Sequence, residues 1–185
     1  MPSTLPNPTR RGFLLAASAG LLGVAGLGAT PASAIPFVRR EPPAGERGLL
    51  MVSQRTGEVF NEVYRNDEGY LAPALEQFAQ FSRDLRADVA GEMDPHLLDL
   101  VADLQALVGP EEPLILTHGF RTLDTNRRLR NSARNSLHME GRALDITHPR
   151  LSASALHQHA LTLDRGGLGR YRRFIHVDTG PTRRW

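Results

Sequence analysis

Ser136-Leu137-His138-Met139-Glu140-Gly141-Arg142-Ala143-Leu144-Asp145 decides how this chain is read. The stretch sets an imidazole and a carboxylate seven positions apart, with a glycine between them. A second imidazole stands in Phe174-Ile175-His176-Val177-Asp178. Two His and one Asp can bind zinc and leave a fourth position for water, which is the layout of a catalytic rather than a structural zinc site. Ligands of one ion need donor atoms within a few Å of each other, since each bond is about 2.0–2.2 Å. A helix would hold His138 and Asp145 roughly 10 Å apart along its axis. A fully extended chain would separate them by roughly 23 Å. The segment must therefore fold back on itself, and Gly141 is able to take the backbone conformation this needs. Ala143 is small enough to pass close to a metal. Leu144 and Ile146 flank Asp145, which predicts a strand with Asp145 on the opposite face.

Working outward, Leu49-Leu50-Met51-Val52 and Val59-Phe60-Asn61-Glu62-Val63-Tyr64 read as two strands of a hairpin, joined through Arg55-Thr56-Gly57-Glu58. Residues 70–87 are predicted helical, with Leu71, Leu75, Phe78, Phe81 and Leu85 three and four apart. Asp94-Pro95 opens a second helix, which Gly109-Pro110 ends. Pro113 to Thr117 reads as a buried strand running into His118-Gly119-Phe120-Arg121, and Thr125 to Arg130 as a short polar helix or turn. After the motif, His148-Pro149 breaks the chain and Ser152 caps a helix to about Asp164. Gly166-Gly167-Leu168-Gly169 reads as a tight, flexible passage that delivers Tyr171 to Asp178 as the last strand. His148, His157 and His159 read as surface or boundary residues. This order predicts an α+β domain in which a small antiparallel β-sheet carries the zinc site, flanked by helices.

The N-terminal residues read as an address rather than as part of that domain. Thr9-Arg10-Arg11-Gly12-Phe13-Leu14-Leu15 opens an Ala/Gly/Leu-rich run, and Ala32-Ser33-Ala34 supplies a small-residue cleavage pattern. The paired arginines look like a twin-arginine export signal. Residues 1–34 are expected to be that signal, 35–48 a flexible lead-in and 49–185 the zinc domain. The domain is then periplasmic or secreted, with no stable membrane insertion after cleavage. The chain has no cysteine, so a disulfide and a lipoprotein attachment are both excluded. All the basic side chains are arginine, and the net charge is +2. Removing Arg10 and Arg11 leaves the mature chain near neutral, so nothing points to nucleic acid.

Ser136-x-His138-x-x-Gly141-x-Ala143-x-Asp145 resembles the signature of the D-Ala-D-Ala metallopeptidase superfamily, which also includes lysostaphin-type enzymes and the hedgehog signalling domain. His176-Val177-Asp178-Thr179-Gly180, the preceding Gly166-Gly167-x-Gly169 and Trp185 resemble its murein endopeptidase K branch (peptidase family M15). The branch's strand-end Ser-Gly-Tyr-Arg appears here as His118-Gly119-Phe120-Arg121. The resemblance implies that His138, Asp145 and His176 hold Zn2+, and that the substrate is the peptide stems of peptidoglycan. It also implies that Arg121 lies in the cleft and binds a substrate carboxylate or a developing oxyanion.

One departure bears on mechanism. Carboxypeptidase relatives carry a Glu base three residues before the last His ligand, and Arg173 stands there in this chain. Asp178 is expected as the base or as support for a ligand His, because a strand would bring its side chain to the face of His176. His118 is the alternative base. The expected function is a zinc-dependent murein endopeptidase. The alternatives are a zinc D-Ala-D-Ala carboxypeptidase and a non-catalytic, metal-stabilised wall-binding module.

Overall fold

The hairpin forms where the sequence places it. In the computed structural model, which describes residues 42–130 and 132–185, β1 (Arg47–Ser53) pairs antiparallel with β2 (Val59–Asn66), Met51 opposite Phe60. A short β3 (Gly69–Tyr70) folds back on β2. The expected signal segment lies outside the described residues, and β1 begins two residues inside the expected lead-in. Arg47 is held there by Tyr64, Asp99 and Asp103.

The helix expected over 70–87 is shorter. α1 spans Ala72–Phe81 and buries Ala74, Phe78 and Phe81. Two side chains end it. Ser82 Oγ donates back to the Phe78 carbonyl at 2.7 Å, and Asp84 Oδ1 accepts from the backbone N–H groups of Arg86 and Ala87. Short polar side chains that bond nearby backbone offer the chain an alternative to helix. α2 (Pro95–Val108) follows the expectation: the Asp94 side chain accepts from His96 N and Pro95 stands at the start. Gly109, at φ 120°, ends the helix.

β4 (Leu114–His118), α3 (Leu123–Arg128), a 3-10 turn at Leu137–Glu140 and β5 (Ala143–Thr147) come next. α4 (Ala153–Leu161), capped by Ser152, leads to β6 (Gly167–Arg170), β7 (Ile175–Asp178) and β8 (Arg183–Arg184). The strands form one eight-stranded sheet in the order β3-β2-β1-β4-β5-β7-β6-β8. With four α-helices among the described residues, this is a mixed α+β fold.

The sheet is larger than expected and is not purely antiparallel, because β1 pairs parallel with β4 and β6 with β8. The long connection through α1 and α2 is what allows β4 to return alongside β1 in the same direction. The glycine passage is also corrected: Gly167 to Arg170 is an ordered strand between β7 and β8. Tyr171 to Phe174 is a turn rather than strand, closed by Tyr171 N donating to the Phe174 carbonyl. His148 is buried rather than at the surface, and its Nδ1 accepts from Arg150 N and Leu151 N. His157 is half-buried and His159 exposed. Among the described residues no helix is long and apolar enough to cross a membrane.

Candidate metal centre

Three strands and one turn bring the polar residues together. On β5, Asp145 lies opposite His118 of β4 and opposite His176 of β7. His138 arrives from the 3-10 turn. Gly141 closes that turn at φ 66°, and a Cβ there would sit 1.8 Å from the Glu92 carbonyl oxygen, so the fold-back requires glycine. The motif loop is docked by Asp94 N, which donates to the Gly141 carbonyl at 2.9 Å.

The donors converge. His138 Nε2 lies 3.2 Å from Asp145 Oδ1 and 3.2 Å from His176 Nδ1, and that Nδ1 lies 3.0 Å from the same carboxylate oxygen. A tetrahedral ion with bonds of about 2.0–2.2 Å sets its donors about 3.3–3.6 Å apart. The second partner of each ring fixes which nitrogen carries the proton. His138 Nδ1 donates to the Gly119 carbonyl at 2.7 Å, and His176 Nε2 donates to Asp178 Oδ2 at 2.9 Å. In the neutral rings, the two inward nitrogens therefore present lone pairs to each other beside a carboxylate. This donor set suits a cation, and His138, Asp145 and His176 could hold a metal ion.

Burial and the shared carboxylate act on the three groups in opposite senses. Burial pushes the His138 imidazole below its ordinary value, although Asp145 opposes the shift. Burial disfavours the charged form of Asp145 too, but His138, His118 and His176 outweigh it and hold the carboxyl well below the usual range. At His176 burial again lowers, while hydrogen bonds to Asp145 and Asp178 prevail and the net shift is upward.

The other candidates occupy distinct positions. Arg121 Nη2 donates to Asp145 Oδ2 at 2.7 Å, leaving Oδ1 for the centre, and Arg121 Nε is buried without a partner. His118 has a side chain 42% exposed, with Nδ1 3.5 Å from Asp145 Oδ2. Asp178 is fully buried on the far side of the His176 ring. There it accepts from Gly167 N, Gly180 N and both terminal nitrogens of Arg183. The Ser136 side chain makes no cap to the motif turn. Arg173 is exposed.

The donors line an open cleft of about 420 Å³ together with His118, Arg121, Tyr171, Phe174 and Trp185. A larger groove of about 1050 Å³, between α1 and the segment 90–95, contains none of these residues.

A family model described as peptidoglycan L,D-endopeptidase MepK matches residues 41–185. The chain belongs to the MepK family. It is 35% identical over 170 residues to the peptidoglycan L,D-endopeptidase MepK of Escherichia coli K12, covering 89% of this chain and 93% of that protein. It is 31% identical over 167 residues to the probable peptidoglycan L,D-endopeptidase MepK of Haemophilus influenzae, covering 86% and 88%. The MepK-family match takes in every residue of the centre and of its cleft.

Sequence reasoning missed part of this MepK-family site. Tyr171 and Phe174, read in the sequence only as part of a strand, stack at 4.6 Å to form an aromatic wall, while Trp185, already marked by the resemblance, stands next to His176. Arg183 was not singled out at all. The alternating Gly167 and Gly169 were the available signal, since glycine inside a strand often marks a close approach.

Proposed function

We propose that this MepK-family chain is a zinc-dependent endopeptidase that hydrolyses peptide crosslinks of peptidoglycan. The observation that carries the reading is the trio of inward-facing donors at 3.0–3.2 Å, two of them imidazoles with fixed tautomers, in the lining of an open cleft. Bound by His138, Asp145 and His176, zinc supplies Lewis-acid polarisation of a carbonyl and acidification of water.

The chain's own residues do the rest. His138 and His176 hold their protons on the outer nitrogens, so both inner ones stay free to ligate. Asp178 orients His176 rather than acting as base, because its carboxylate is buried behind the ring with every oxygen bonded. His118 is then the proton acceptor for an attacking water and the donor to the leaving amine. It is the exposed imidazole of the cleft, beside Asp145 and within 6.4 Å of the Phe174 ring. Arg121 fixes Asp145 through Nη2, and its place in the cleft supports the expected role at a developing oxyanion. The twin-arginine pattern at Arg10-Arg11 supports delivery to the cell envelope, where peptidoglycan lies.

Crosslinked muropeptides incubated with zinc-loaded protein should be converted to uncrosslinked stems, and a chelator should stop the conversion. Release of free D-Ala from pentapeptides, with dimers intact, would replace this reading by a carboxypeptidase. Sacculus binding without turnover would replace it by a wall-binding module.

A further inference from the structure

Gly167 and Gly169 take no part in this chemistry, yet they face the most elaborately supported ligand. On β6, Gly167 lies opposite Asp178 and Gly169 opposite His176. A Cβ on Gly167 would come within 2.3 Å of Asp178 Oδ2 and 2.5 Å of Arg183 Nη1. A Cβ on Gly169 would come within 2.5 Å of the Trp185 ring. Residues two apart on a strand share a face, so the volume that two side chains would fill is taken by Arg183 and Trp185.

Both reach His176. Arg183 grips Asp178 with two parallel bonds, Nη1 to Oδ1 at 3.0 Å and Nη2 to Oδ2 at 2.7 Å. Such a fork fixes orientation as well as position. Asp178 Oδ2 in turn receives His176 Nε2. The Trp185 ring centre stands 5.4 Å from that of His176, and its Nε1 donates to Tyr171 OH at 3.2 Å. The Arg183 guanidinium lies over the Trp185 ring at 5.0 Å, which joins the two contacts into one unit. Backbone bonds hold that unit to β6: Arg170 N donates to the Trp185 carbonyl and Trp185 N to the Leu168 carbonyl.

We propose that Arg183 and Trp185 are positioning residues that clamp the metal ligand His176, admitted to it by Gly167 and Gly169. The clamp rests on the proposed zinc site and not on the proposed substrate. Its sign separates it from plain electrostatics. Removing a cation near a divalent ion should tighten metal binding if charge alone matters. Freeing the ring to turn should weaken it, on the order of 10- to 100-fold for loss of such outer support.

The test is a zinc dissociation constant, measured by competition with a chromophoric chelator, with circular dichroism of each apo variant as the fold control. Arg183→Gln is expected to weaken zinc binding at least about tenfold. Asp178→Asn should weaken it similarly, and the double variant should be little worse than either single one, because both act through one ring nitrogen. Trp185→Ala should weaken binding by a smaller factor, and Trp185→Phe should restore it. Unchanged or tighter binding by folded Arg183→Gln overturns the proposal, as does full additivity with Asp178→Asn. Should Arg183→Gln not fold, Arg183→Lys keeps the charge without the fork, and wild-type affinity in that variant overturns the clamp equally. No substrate enters the measurement. Arg183-dependent zinc binding in a protein that leaves crosslinks intact would sink the proposed reaction and leave the clamp standing.

Discussion

His138 reaches the centre with Nε2 and His176 with Nδ1, and the difference follows from what each ring meets on its other side. The Gly119 carbonyl takes the Nδ1 proton of His138, while Asp178 takes the Nε2 proton of His176. Asp145 divides its oxygens in the same spirit, Oδ1 toward the two rings and Oδ2 toward Arg121 and His118. His118 has neither ring nitrogen among the three converging donors; its Nδ1 lies 3.5 Å from the outer oxygen of Asp145 and its side chain is exposed, which supports the proton-transfer role proposed for it. His118→Gln should lower turnover of crosslinked muropeptides by about 10²- to 10⁴-fold, the usual worth of a positioned acid–base group. Bound zinc, read by metal analysis, should be unchanged. Loss of the metal together with activity would mean that His118 supports the site rather than the proton transfer.

Asp84 shows how one side chain can organise neighbouring elements. Its Oδ1 ends α1 by accepting from Arg86 N and Ala87 N, and its Oδ2 accepts from Thr122 N and Thr122 Oγ1 at the start of α3, next to Arg121. Burial opposes its charge, but hydrogen bonds from Thr125, Thr122 and Ala87 outweigh it, so the carboxyl titrates at about 2. A carboxyl depressed on folding stabilises the protein above its unfolded value of about 3.9, and that stability is lost as pH falls through the folded value. The contribution is about 2 kcal/mol. In thermal melts, wild type should exceed Asp84→Asn at mildly acidic pH, and the gap should close as pH approaches about 2. A gap that stays constant over that range would show that the charge of Asp84 does not carry the tie. The same residue explains where sequence reading succeeded and failed. α2, with its apolar period, Asp94 cap and terminal glycine, is written in local pattern, and so is the hairpin. The end of α1 is only partly so: the bonds of Ser82 and of Asp84 Oδ1 are local, but Asp84 is itself fixed by a threonine 38 positions away. β6 as a strand is not, since its glycines acquire meaning only once Arg183 and Trp185 lie against them. The approach of His138 to Asp145 was legible because their motif is local, whereas His176 joins them only through the pairing of β7 with β5. The burial of Asp178 was not, because it depends on β6 and β8 pairing beside β7.

At the scale of the whole chain, the centre joins segments that the backbone keeps apart. His138 belongs to a turn docked on the residues before α2, and His176 to a strand that follows α4, with Asp145 between them in the sheet. An ion held by all three ties the motif loop to β7, and the unfolded chain cannot offer the same arrangement. Part of the binding free energy must then appear as folding stability. At free zinc 100 times its dissociation constant the gain is about 2.7 kcal/mol. For a chain of this size that raises the melting temperature by about 5–10 °C. His138→Ala and His176→Ala should each abolish the rise, because two remaining ligands bind weakly, and Asp145→Asn should reduce it by removing the one anionic donor. His157→Ala and His159→Ala, both on α4 and outside the cleft, should keep it in full. The measurement is a thermal melt with and without zinc, paired with metal analysis of the purified protein. Stoichiometric zinc and an undiminished rise in His138→Ala would remove His138 from the ligand set, and the roles given to His118, Arg121 and Arg183 around it would fall as well.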